Sequence, residues 1–94
     1  MSGAITVRHN LSAHRYEAVV DGHLSVCEYE DAAGSRVFTH TLVPPELRGR
    51  GIAEQLVRTA LAEARAAGLK VVPACSYVAR FIERHGEYRD LLAE

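Results

Sequence analysis

Two arginines and two glycines alternate in the segment Arg48-Gly49-Arg50-Gly51, which lies between a strand pattern and a helix pattern. Glycine lets the backbone approach a ligand closely because it has no Cβ atom. The first N–H groups of a helix have no partner within the helix, and they carry the positive end of the helix dipole. Arginine side chains add fixed positive charge that suits phosphate oxygens. The segment is therefore predicted to bind a pyrophosphate.

Several cofactors carry a pyrophosphate, and the sequence lacks two of the motifs that bind them. A nucleotide P-loop needs Gly-Lys followed by Ser or Thr, and no such tripeptide occurs here. The dinucleotide-binding fingerprint needs a third small residue where this sequence has Glu54. The glycine segment alone leaves the cofactor open.

The elements that must position this segment fall into two halves. The first half has four strand patterns joined by short turns, of which Asp21-Gly22 suits a type I′ hairpin turn. We expect these strands, which form an antiparallel meander, at residues 5–9, 15–20, 23–30 and 36–43. The second half predicts a helix over 52–67, a buried strand over 69–75 and a second helix from about 77 to 84. A strand–helix–strand crossover makes the fourth and fifth strands parallel neighbours.

The composition is that of a small globular protein. The chain has 94 residues, 48% of them hydrophobic, and we expect one domain over residues 1–94. A net charge of −1 with interspersed signs argues against nucleic-acid binding, and no segment is long enough to span a membrane. Cys27 and Cys75 form no CxxC motif, so we expect no metal site and, without a secretory signal, a cytoplasmic protein. The expected assembly is a monomer or a weak homodimer.

The glycine segment resembles motif A of the GNAT acetyltransferase superfamily, Arg/Gln-x-x-Gly-x-Gly/Ala, with Arg48, Gly51 and Ala53 at the defined positions. Two other segments resemble the very short, single-domain members of that superfamily. They are His40-Thr41-x-Val43-Pro44 before the motif and Val72-Pro73-x-Cys75-x-Tyr77-Val78 after it. All three occur in the order found in those proteins, so the resemblance covers essentially the whole chain.

This resemblance implies the α+β fold of the acyl-CoA N-acyltransferases. In that fold the antiparallel meander is followed by a β-α-β-α half, and the sheet splays between its fourth and fifth strands. The resemblance implies acetyl-CoA, or coenzyme A, as the cofactor, with its pantetheine arm in the gap. It assigns cofactor binding to Thr41, Leu42, Val43, Arg48, Gly49, Arg50, Gly51, Ile52, Ala53, Ser76, Tyr77 and His85. Residues 41–43 would also supply the backbone donor for the oxyanion.

Two residues are candidates for the catalytic step. Cys75 either takes the acetyl group transiently or shapes the site, and a free cysteine also serves as a small buried hydrophobe. His40 is a candidate general base, because neutral imidazole accepts a proton near neutral pH, or else a structural histidine. We expect both side chains to line the acetyl end of one cleft.

The second helix departs from the pattern of larger GNAT enzymes, Asn-x-x-Ala-x-x-x-Tyr. This chain has Ser76, Ala79 and Glu83 at those positions, so the tyrosine that protonates the departing thiolate is missing. The short relatives continue with His-Pro-Glu-Tyr, whereas this chain has His85-Gly86-Glu87-Tyr88 without the proline. Tyr77 is near the site, and the general acid stays unassigned.

These observations predict an acetyl-CoA-dependent N-acetyltransferase that acts on a primary amine, such as a protein lysine or a polyamine, by direct attack in a ternary complex. The alternative is a non-catalytic module that binds CoA or acyl-CoA. That module needs the glycine segment but neither His40 nor Cys75. A third interpretation is a structural α+β domain with a fortuitous anion site.

Overall fold

The computed structural model describes residues 5–93 and contains five strands and two α-helices in that range. Short 3₁₀ turns at Pro45–Leu47 and Gly86–Leu91 precede α1 and follow α2, respectively. The regular elements are β1 (Arg8–Asn10), β2 (Arg15–Val20), β3 (His23–Ala32), β4 (Ser35–Leu42), α1 (Ile52–Ala66), β5 (Lys70–Pro73) and α2 (Ser76–Arg84).

The strands form one sheet in chain order, antiparallel from β1 to β4 and parallel between β4 and β5. Asp21 and Gly22 have φ values of 51° and 76°, as a type I′ turn requires between β2 and β3. The predicted meander and β-α-β-α half are therefore confirmed. The first strand begins at Arg8 rather than at residue 5. A parallel bridge joins Val71 of β5 to Leu92 near the end of the chain.

One face of the sheet is covered by the helices and holds the core. Residues Tyr16, Cys27 and Phe38 of the strands belong to one buried cluster with Leu56 of α1 and Phe81 of α2. The α1 side chains of this cluster lie at i, i+3 and i+4 spacing, which places them along one stripe of the helix: Ile52, Leu56, Val57, Ala60, Leu61 and Ala64. The opposite face of the sheet has no helix on it within residues 5–93, and Val19, Leu24 and Leu42 are exposed.

A β-bulge interrupts the pairing of β3 with β4. Tyr29 pairs with Phe38, but Glu28 pairs with His40, so Thr39 is an extra residue in β4. Past the bulge, Cys27 pairs with Thr41. Directly paired residues share a face of the sheet, so Thr41 lies on the helix-covered face and His40 on the exposed face.

A polar network ties the elements together at the end of the sheet where β4 begins. The guanidinium of buried Arg36 binds both carboxylate oxygens of Asp31 at 2.7 and 2.9 Å and donates to the Tyr16 hydroxyl at 2.9 Å. That hydroxyl donates to Glu63 on α1 at 3.0 Å, and the same carboxylate oxygen lies 2.9 Å from His9 Nδ1. Burial raises the pKa of Tyr16, which keeps this hydroxyl protonated. These contacts fix α1 over the sheet, and α1 in turn fixes the glycine segment at its start.

Candidate active site

The glycine segment forms an open turn at the start of α1. Gly49 and Gly51 have left-handed φ values of 82° and 77°, a conformation in which residues with a Cβ are strained. Gly51 is the N-cap of α1 and makes no side-chain capping bond, and the first helical bond runs from Gln55 N to Gly51 O at 3.2 Å. None of the N–H groups of residues 49–54 donates a hydrogen bond within residues 5–93. The turn therefore presents a row of free donors, as anion binding requires.

The two arginines of this segment have different partners. Arg48 Nε donates to the carbonyl oxygen of Val43 at 3.3 Å, which folds its side chain back over the end of β4. Arg50 Nη1 donates to Asp21 Oδ2 at 2.8 Å, and both side chains are exposed. The Asp21 carboxylate, in the hairpin turn between β2 and β3, therefore offsets part of the positive charge of Arg50, which the sequence predicts to bind the cofactor.

Strands β4 and β5 separate close to this turn. They pair only from Ser35–Lys70 to Phe38–Pro73, and the last backbone hydrogen bond between the two segments runs from Cys75 N to Phe38 O at 2.8 Å. β4 continues to Leu42, so its residues 39–42 have β3 on one side and, within the described part of the chain, no paired strand on the other. The expected splay between the fourth and fifth strands is present.

A cleft connects the end of β4 with the glycine turn and α2. It has a volume of about 260 Å³, and Val43, Gly51, Ala53 and Tyr77 are among its lining residues. Tyr77 is 39% exposed, and burial of the remainder is the main cause that raises the pKa of its hydroxyl. Cys75 is the N-cap residue of α2 and makes no side-chain capping bond to the N–H groups at the start of that helix.

Cys75 lies beside a second sulfur and a hydroxyl. Its Sγ is 3.4 Å from Thr41 Oγ1, which also lies 3.7 Å from the Sγ of Cys27. Burial raises the pKa of the Cys27 thiol to about 12, so this thiol stays protonated. Cys27 packs in the hydrophobic core. Cys75 is partly exposed and is the thiol of the pair that a ligand in the gap can reach.

The two candidate catalytic residues lie on different faces of the sheet. Thr41 and Cys75 are in contact on the helix-covered face, whereas the register places exposed His40 on the other face, opposite Glu28. That both side chains line the acetyl end of one cleft stays a prediction, in which His40 and Cys75 would approach the gap from opposite faces of the sheet. Any joint action of His40 and Cys75 requires a substrate that lies in the gap and is reached from both faces.

His85 ends α2 at some distance from these residues. Its ring stacks on Phe81 with centroids 4.1 Å apart, and Nδ1 lies 2.9 Å from the Phe81 carbonyl oxygen. Because a carbonyl only accepts, Nδ1 carries the proton of this bond. His85 and Arg84 both line a cleft between α1 and α2.

The family model of the GCN5-related N-acetyltransferases matches residues 15–91 of the chain. The chain belongs to this family. Among solved structures, an NMR solution structure of a GCN5-like candidate N-acetyltransferase from Staphylococcus aureus matches with a TM-score of 0.75 and 22% identity. The match covers 94% of this chain and 87% of that chain, and at this identity it shows the fold.

The resemblance and the fold expected from the sequence are thereby confirmed, and the protein is an N-acetyltransferase of the GNAT family. Neither helix of the described residues is long and apolar enough to cross a membrane. Sequence reasoning missed two neighbours of the site, Asp21 beside Arg50 and Cys27 beside Thr41. Both contacts join residues that are distant in the chain, so no local sequence motif predicts them.

Proposed function

We propose that this N-acetyltransferase uses acetyl-CoA and transfers the acetyl group to a primary amine by direct attack in a ternary complex. The observation that carries the proposal is the row of free N–H groups at residues 49–54, which opens on the same cleft as the end of β4. A pyrophosphate on these donors, with the charges of Arg48 and Arg50 beside it, is the arrangement that P-loops and dinucleotide folds use in other forms. Acetyl-CoA, when bound, supplies the activated acetyl thioester.

The residues of β4 position the reacting carbonyl in this proposal. The backbone of Thr41, Leu42 and Val43 lies along the unpaired edge at the gap, where N–H groups can donate to pantetheine and to the carbonyl oxygen as negative charge develops. Cys75 and Thr41 shape the helix-covered side of the gap through their 3.4 Å contact. Ser76 and Tyr77 continue the wall of the cleft at the start of α2.

The acceptor amine approaches from the exposed face of the sheet in this scheme. His40 lies on that face beside the gap and takes the proton from the ammonium group. Glu28 is its direct cross-strand partner, and its carboxylate favours a cationic substrate over an anionic one. An exposed face suits an extended acceptor such as a lysine side chain or a polyamine.

Isothermal titration calorimetry with acetyl-CoA and CoA, followed by a screen of polyamines and lysine peptides for CoA release, tests the proposal. We expect binding of both cofactors and turnover with at least one amine. Binding without turnover on any amine would favour a CoA-binding module, and no binding would refute the assignment of the glycine turn.

Mass spectrometry separates direct transfer from an acetyl-cysteine intermediate. After mixing with acetyl-CoA alone, we expect no stoichiometric acetyl group on Cys75. Cys75→Ser should keep more activity than Cys75→Ala, because a serine hydroxyl can retain the hydrogen bond to Thr41. An acetyl group on Cys75 that transfers to amine at the turnover rate would establish the covalent route instead.

A further inference from the structure

Two arginines of α2 face a small cleft that the proposed mechanism leaves without a role. Arg80 and Arg84 are one helical turn apart, and Tyr77 precedes Arg80 by three residues, so all three lie on one side of the helix. They line a cleft of about 110 Å³ between α1 and α2, together with Glu54, Phe81 and His85. Both arginines are exposed.

The charges of these arginines are not balanced within the described residues. Arg80 and Arg84 form no ion pair and no side-chain hydrogen bond within residues 5–93, whereas Arg58 and Arg65 of α1 each pair with a carboxylate. Like charges at i and i+4 repel each other, and no ion pair within residues 5–93 compensates for this repulsion. The one carboxylate of the cleft, Glu54, is held by Arg58 Nε at 3.0 Å, which weakens its field toward the arginines.

The cleft is continuous with the glycine turn. Glu54 and Tyr77 line both the 110 Å³ cleft and the 260 Å³ cleft at Gly51. α2 begins directly after Cys75, and at roughly 1.5 Å per residue Arg84 lies about 13 Å further along the helix. The basic end of the combined cleft is therefore the end farthest from the acetyl group.

We infer that Arg80 and Arg84 bind the 3′-phosphate of coenzyme A, which rests on the proposed use of acetyl-CoA. A phosphate monoester carries between one and two negative charges near neutral pH, more than either phosphate of the pyrophosphate. Two arginine residues that line one small cleft suit such a group, because guanidinium groups bind phosphate oxygens well. His85 contributes less, because its Nδ1 is already engaged with the Phe81 carbonyl.

Calorimetry with CoA and dephospho-CoA, which lacks only the 3′-phosphate, tests this subsite. The wild-type protein should bind CoA about tenfold more tightly at low salt, and the difference should shrink as ionic strength rises. In the double variant Arg80→Gln/Arg84→Gln, CoA should bind as weakly as dephospho-CoA, whose own affinity stays unchanged. Arg8→Gln/Arg89→Gln removes the same total charge from exposed arginines outside this cleft and should retain the wild-type difference.

Two results would overturn the inference. One is a wild-type protein that binds CoA and dephospho-CoA equally, and the other is an equal loss for both ligands in the double variant. Failure of the wild-type protein to bind either ligand would refute the proposed function instead. If the double variant does not fold, the single variant Arg84→Gln gives the same comparison, with a partial loss expected for CoA alone.

Discussion

Gly51 and Gly34 offer a matched pair that separates the strain of a left-handed residue from the role of the glycine turn. Their φ values are 77° and 82°, and an added Cβ at either position would meet no atom within 4 Å. The substitutions Gly51→Ala and Gly34→Ala therefore cost the fold similar amounts, about 1–2 kcal/mol each, from backbone strain alone. Gly34 precedes β4 and the glycine turn follows it, so the two sites lie at opposite ends of that strand.

The effect on cofactor binding should differ between the two variants. At Gly51 the methyl group projects into the open space at the free N–H groups of residues 49–54, where the pyrophosphate is proposed to lie. Loss of one hydrogen bond to a charged group costs about 1.5–3 kcal/mol, which corresponds to roughly a ten- to hundredfold weaker Kd. At Gly34 we expect no change in Kd.

Chemical denaturation gives the stability of each variant, and calorimetry well below both unfolding transitions gives Kd for CoA. Similar stability losses with a weaker Kd only for Gly51→Ala would support pyrophosphate binding at the glycine turn. An unchanged Kd in folded Gly51→Ala, or an equal loss in Gly34→Ala, would refute the reasoning.

Three other perturbations follow from the contacts of the site and the sheet. Asp21→Asn keeps a residue that tolerates the φ of 51°, removes the carboxylate that binds Arg50 and should tighten CoA binding about two- to fivefold by calorimetry; weaker binding would contradict the role of Arg50. His40→Gln should lower kcat/KM by about 10²- to 10⁴-fold and leave the Kd for CoA unchanged, because a general base acts in the transfer step and not in cofactor binding; an unchanged kcat/KM would exclude His40 as the base. The hydrogen bond from Arg36 holds the pKa of Asp31 below its ordinary value of 3.8, so this carboxylate stabilises the fold above that pH and the contribution is lost as pH falls through the lowered pKa. Asp31→Asn should therefore lower the free energy of unfolding at pH 7 by about 1 kcal/mol or less, given its exposure, and the deficit should disappear in acid denaturation series well below pH 3.8; an undiminished deficit in acid would contradict the ion pair.

The parts of the fold that local sequence determines could be predicted. The turn at Asp21-Gly22 follows from two residues that accept positive φ, and α1 follows from its apolar spacing and from the glycine on either side. The helix predicted over 52–67 runs from Ile52 to Ala66. The glycine turn belongs to this class as well, because its conformation depends on the residue types within it.

Contacts between distant segments could not be predicted in this way. The ion pair of Arg50 with Asp21 joins residues that are 29 positions apart, and the contact of Thr41 with Cys75 spans 34 positions. The charge and the thiol environment of the site depend on these contacts. A motif specifies which side chains are present and leaves open how much of their charge the rest of the chain offsets.

The placement of His40 shows how one residue of register changes a site. In an uninterrupted strand, side chains two apart share a face, so His40 would lie with Phe38 on the helix-covered face, and Thr41 would be exposed. The extra residue at Thr39 reverses this alternation, because Tyr29 pairs with Phe38 while Cys27 pairs with Thr41. Thr41 thereby reaches Cys75, and His40 is presented to the face from which an acceptor can approach. No glycine in the sequence marks the position of this bulge. The bulge nevertheless determines whether the Cys75 thiol and the His40 imidazole lie on the same side of the gap or on opposite sides.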